Sequence, residues 1–193
     1  NAFEIDEALR PAPPLQAGVH VYDDWDLADL RNYIDWTPFF RAWELHGNYP
    51  DILTDEVVGE SATSLFADAN AMLDKIISEK WLRAKGVAGL WPCWRDGDDV
   101  VVYCEKTEAH VRLPILRQQI VKREGKANMC LADFISRDGD WIGGFAVTTG
   151  HGIGAHLAQF KANIDDYSDI MLKALADRLA EAFAERMHQH VRT

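Results

Sequence analysis

Residues 86–103, GVAGLWPCWRDGDDVVVY, place two apolar runs on either side of a turn. Gly86–Trp91 and Asp99–Tyr103 read as strands, and Asp96-Gly97-Asp98 between them is turn chemistry. That pattern predicts a β-hairpin, which is an antiparallel pair needing no helical crossover. On the N-terminal side, apolar residues Val58, Ala62, Leu65, Phe66, Ala69, Met72, Leu73, Ile76 and Ile77 step by three and four. They predict one long helix over 55–81, with acids at its start and lysines at its end to complement the dipole. On the C-terminal side, Ile170, Met171, Ala174, Leu175, Leu179, Phe183 and Met187 mark a second long helix over 165–190. Asp165-Asp166 supply its cap and first-turn charge.

Between these landmarks, Asp26–Arg31 predicts a short helix. Thr37-Pro38 predicts a helix entry with Thr37 as cap, and Gly47-Asn48-Tyr49-Pro50 stops that helix. Leu113–Lys122 predicts a helix. Cys130–Phe134 and Trp141–Thr148 predict strands separated by Arg137-Asp138-Gly139-Asp140. TGHGIG at 149–154 predicts a glycine-rich loop leading into a helix over 155–162. Strands do not alternate regularly with helices. The expected class is therefore α+β, with long helices packed on a twisted antiparallel sheet. Residues 1–19, proline-rich at 10–19, are expected to form an N-terminal arm, and 20–193 one domain. Asn1-Ala2 reads as the remnant of an expression tag.

Composition narrows the function. The 193 residues are 48% apolar, enough for a sizeable core. A net charge of −11 argues against nucleic acid as partner, because phosphate binding needs a concentrated basic surface. No apolar run is long enough for a membrane span, and no signal peptide is evident. The three cysteines are odd in number and form no Cys-x-x-Cys pair, so a reduced, cytoplasmic setting is expected. Two local basic clusters stand out from the acidic background: Lys80, Arg83 and Lys85, and Arg117, Lys122, Arg123 and Lys126. They read either as ordinary surface or as steering groups for an acidic partner.

The sequence offers no catalytic residue and no metal site. No histidine spacing suits a metal, no nucleophile elbow is present, and GHGIG lacks both the Walker lysine and the Rossmann spacing. Cys130 reads as core, whereas Cys93 reads as partly exposed. The most unusual stretch is YIDWTPFF at 33–40, one carboxylate among four aromatics just before a helix. The plain reading is a cap and hydrophobic staple. The alternative is a site for a cationic ligand: Asp35 for an ammonium, with Tyr33, Trp36 and the nearby Trp25 and Trp43 offering aromatic faces. Glu181 and Glu185 read as a solvated acidic face of the last helix.

A resemblance sharpens this. YIDWTPFF, WELHGNYP (43–50), LFADANAMLDKIISEKWLRAKGV (65–87), LADF (131–134) and DDYSDIMLKALADRLAEAFAERMH (165–188) resemble the C-terminal activation domain of cobalamin-dependent methionine synthase. The similarity runs from about residue 20 to the last residue. It implies a domain that binds S-adenosylmethionine and presents its methyl group to a cobalamin held by a partner cobalamin-binding domain, in the same chain or another. Flavodoxin, or an equivalent reductase, would supply the electron that restores oxidised cobalt. Cobalt(I) is itself the nucleophile and a sulfonium methyl is already activated, so the protein supplies orientation and electrostatics rather than a base. By position, the resemblance implies that Asp35 and Glu181 bind S-adenosylmethionine, with Trp36 and Tyr33 as lining. Family members continue into an Arg-Pro-Ala-Pro-Gly-Tyr-Pro segment that is absent before Thr193, so Asp35 and Glu181 are expected to form only part of a site. Two alternatives stay open: a docking module for a cobalamin-binding domain or flavodoxin that does not itself bind S-adenosylmethionine, and a related fold holding another amino-acid-like ligand.

Overall fold

The computed structural model describes residues 12–193; the suggested tag remnant and the start of the arm lie outside them. Among the described residues there are five strands and five α-helices. The strands are β1 (Gly18–Trp25), β2 (Arg83–Asp96), β3 (Asp99–Cys104), β4 (Ala109–Pro114) and β5 (Asp140–His151). The helices are α1 (Leu27–Arg31), α2 (Thr37–Ala42), α3 (Gly59–Ser78), α4 (Ile153–Ala162) and α5 (Asp166–Arg192). The sheet order is β1-β2-β3-β4, with β5 also paired to β2. This is the α+β class expected. No helix among the described residues is long and apolar enough to cross a membrane.

The chain divides into two compact units. One comprises the described part of 1–20 together with 88–144; the other comprises 21–87 and 145–193.

In the first unit, β2 and β3 pair antiparallel from Cys93↔Val102 to Asp96↔Asp99, so the hairpin turns on Gly97-Asp98 as the sequence indicates. A second antiparallel pairing then joins β3 to β4, from Asp99↔Pro114 to Cys104↔Ala109. Its small core is Cys93, Val100, Cys130 and Ala132, flanked by Val102, Ile115, Ile135 and Ile142. Two expected elements fail here. Leu113–Lys122 is not a helix: its start belongs to β4, and 115–123 has no regular structure. Nor is Cys130–Phe134 a strand; Leu131–Phe134 forms a 3₁₀ turn. The common cause is ionic. Arg117 donates to both oxygens of Asp133 at 2.7 Å, to Asp98 at 2.6 Å and to the Asn128 carbonyl at 2.7 Å. Asp133 in turn accepts from the Cys130 amide at 3.0 Å, which closes the turn. Satisfying a fully buried carboxylate outweighs local propensity. Cys93 is buried rather than partly exposed, and burial, with Asp140 nearby, pushes its thiol up to about 11.

The second unit carries the long helices. α3 buries Ala62, Leu65, Ala69, Leu73 and Ile76, the stripe the sequence shows. α5 buries Met171, Leu172, Leu175, Leu179, Phe183 and Met187, whereas Ile170, expected in its stripe, is half exposed. The strand β1 was not foreseen; residues before it are irregular from 12. Gly86 on β2 lets that strand lie against α5, since a Cβ there would come within 2.8 Å of Phe183 Cζ. The loop expected over 149–154 shrinks to a turn at Gly152, because 149–151 belong to β5 and 153–154 to α4. Gly152 has φ +98°, and a Cβ would meet the Trp81 carbonyl at 2.6 Å.

Candidate functional site

Asp35 precedes α2 and is exposed. Its Oδ1 accepts from the Thr37 amide at 3.0 Å, satisfying one of the free donors of the helix start. Thr37 is not the cap. It occupies the first helical position, and its hydroxyl accepts instead from the Tyr49 amide at 3.1 Å. Asp35 thus combines the cap function with a second oxygen that has no partner among the described residues.

Trp36 is buried, edge-on to Phe39 and Phe66 with ring centroids 5.4 and 4.8 Å away. Tyr33 is half-buried and reaches α5, where its hydroxyl donates to Gln189 Oε1 at 2.5 Å. The Arg186 guanidinium lies 5.7 Å from the Tyr33 ring and 5.4 Å from that of Trp25. Arg186 and Trp25 both donate to Asp29 at 2.9 Å. Those two bonds, that from Trp25 having the larger effect, hold the Asp29 carboxyl below the usual carboxylate range. Trp25 also packs on Phe183, whereas Trp43 packs on Tyr167. The three tryptophans therefore do not converge on Asp35.

Glu181 is on the exposed face of α5, eight residues before Gln189, which is roughly 12 Å along a helix axis. Both of its oxygens are engaged. Arg178 Nη1 donates to Oε2 at 2.6 Å and Nη2 to Oε1 at 2.8 Å; Nη2 also donates to Asp177 at 2.6 Å. The Arg178 side chain is only 9% exposed, whereas Glu181 is 61% and Asp177 69% exposed. Burial works against the guanidinium's charge, but the two carboxylates hold its pKa above the ordinary arginine value. Asp35 and Glu181 are not bonded to each other. They sit on separate elements of one unit, both with charge open to solvent.

Other candidates resolve plainly. His156 stacks on Trp81 at 4.4 Å and His190 meets the Tyr22 hydroxyl at 3.0 Å. No cluster among the described residues could hold a metal ion. Arg83 and Lys85 pair with Asp24 and Asp23, and Arg117 belongs to the buried ion cluster. Arg123 and Lys126 remain exposed, on a loop whose hollow of about 350 Å³ they line with Lys122. A second hollow of about 390 Å³, in the first unit, is lined by apolar side chains including Trp91, Val102 and Leu113. Neither hollow includes Asp35 or Glu181.

Residues 26–193 match the family model described as vitamin B12 dependent methionine synthase, activation domain. The chain belongs to that family. A solved structure of the MetH reactivation domain bound to AdoHcy matches all of this activation-domain chain at 50% identity with a TM-score of 0.90. The chain spans 61% of the length of that relative. The α+β architecture and the family resemblance read from the sequence are both confirmed by these matches.

For the activation domain, two residues escaped the sequence reading: Arg178, which grips Glu181, and Asp177 beside it. A signal was present. Met171, Leu175, Arg178 and Ala182 keep helical step, so Arg178 stands in the buried stripe of α5. An arginine in that phase must bring its own counter-charges.

Proposed function

We propose that this chain binds S-adenosylmethionine and serves as the reactivation domain of a cobalamin-dependent methionine synthase. Residues 1–19 would be its arm and 20–193 part of the domain proper. The observation that carries this reading is the 50% identity, over the whole chain, to a reactivation domain bound to AdoHcy. In this reading S-adenosylmethionine supplies the methyl group, and flavodoxin or an equivalent reductase the electron, that return oxidised cobalamin on a partner domain to its methylated form.

The residues fit such a ligand in chemistry. Asp35 offers its Oδ2 to the methionyl ammonium while its Oδ1 stays on the Thr37 amide. Glu181 offers its outward lone pairs to further donors. Tyr33, half-buried and two residues before Asp35, lends an aromatic edge. No base or nucleophile is required of the protein; holding and orienting the ligand is its whole contribution.

The test is calorimetric titration of AdoHcy and S-adenosylmethionine into this chain and into the complete gene product that carries it. Asp35→Asn preserves the bond to Thr37, because an amide oxygen also accepts, so the fold should hold. Its affinity should fall at least about tenfold, the worth of one charge-assisted hydrogen bond. Saturable binding without any loss in Asp35→Asn would remove Asp35 from the site. No binding by the complete gene product would leave the docking-module reading in its place. For the reductase, association that slows as salt rises would support steering by Lys122, Arg123 and Lys126, and salt-independent association would count against it.

A further inference from the structure

Arg178 is buried, and its fork is filled by two carboxylates that are not. Burying a guanidinium is costly, and replacing a buried ion group by an apolar side chain of similar size is often neutral or better for stability. Stability is thus a poor reason for this arginine. Geometry offers a better one. An exposed glutamate on a helix ordinarily samples several rotamers, and a bidentate grip on both oxygens removes that freedom. The grip comes from beneath, so the lone pairs turned towards solvent stay open. The three groups together carry one net negative charge, which complements a singly cationic ligand.

We infer that Arg178 is a positioning residue: it fixes the Glu181 carboxylate in one orientation for a ligand donor, with Asp177 holding the guanidinium from the other side. The inference rests on the proposed role of Glu181 and adds to it the group that makes that role effective. Preorganising an acceptor raises affinity by removing the entropy of ordering it on binding.

The experiment is a double-mutant cycle read by AdoHcy affinity in the complete gene product. Arg178→Met keeps the volume and removes the grip, and leaves only water-exposed carboxylates behind, so the thermal midpoint should hardly move. Affinity should fall about tenfold. In a Glu181→Gln background the same change should cost less than about twofold, because there is no carboxylate left to position. Arg178→Lys keeps the charge but not the fork, and should lie between the two. It also serves if Arg178→Met does not fold. Equal losses in both backgrounds, or no loss in either, would overturn the positioning role while leaving ligand binding intact. Unchanged affinity in Glu181→Gln itself would instead strike out Glu181, and the inference with it.

Discussion

Asp133 is fully buried among positive charge. Arg117 holds it most strongly, with the Cys130 amide and Arg95 adding to the effect, and its carboxyl sits at about 2 instead of the ordinary 3.8. Because the folded value is depressed, the stabilisation is present above the unfolded value and disappears as pH falls from near 3.8 through about 2. Asp133→Asn leaves two guanidinium groups without their shared counter-charge and should cost roughly 3–5 kcal/mol at neutral pH. Urea unfolding at pH 7, 4 and 2.5 checks the sign: the gap between wild type and variant should be full at pH 7 and shrink towards pH 2. A gap independent of pH would show that packing, not charge, holds this turn. At this scale the sequence was partly readable. LADF carried the family resemblance, but nothing local to Cys130–Phe134 shows that Asp133 will be met by Arg117 and Arg95, one from 16 residues before it and one from 38. The capping role of Asp35 was readable, since a carboxylate two residues before Thr-Pro is placed to serve the helix start.

The elements divide by how far their cause lies from them. α3 and α5 follow from their own apolar periodicity, and the hairpin follows from the Gly97-Asp98 turn, so all were legible. The segment after β4 was not, because its shape is set by the ion cluster rather than by its own pattern. A consequence can be measured. If 113–122 were a packed helix, Leu116 would lie on its apolar face, and Leu116→Ala would cost several kcal/mol. In the structure Leu116 is 89% exposed, so the substitution should change stability by less than about 0.5 kcal/mol. Leu73→Ala, in the buried stripe of α3, should cost roughly 2–5 kcal/mol. Similar costs for the two would revive the helix. Gly152→Ala, between β5 and α4, belongs to the same scale. It puts a Cβ on the Trp81 carbonyl at a positive φ and should cost roughly 1–3 kcal/mol by chemical denaturation.

For the molecule as a whole, the charge of −11 bears on the proposed ligand directly. S-adenosylmethionine carries a sulfonium and an ammonium against one carboxylate, a net charge of about +1, whereas AdoHcy has lost the sulfonium and is close to neutral. Both ligands would use the same carboxylates, Asp35 and Glu181, for their shared amino-acid and nucleoside parts. They differ in how they feel the rest of the acidic surface. Exposed charges act over about 10 Å at an ionic strength near 0.1 M, and over about 3 Å near 1 M. The affinity for S-adenosylmethionine should therefore fall severalfold across that range, while that for AdoHcy should change by less than about twofold. Glu181→Gln should weaken both and flatten the salt dependence of the cation, because it removes an exposed negative charge at the proposed site. Parallel titrations of the two ligands at several salt concentrations separate the contributions. Equal salt dependence would mean that the sulfonium is insulated from the acidic surface. Recognition would then rest on local contacts alone, and the overall charge would have no part in choosing the ligand.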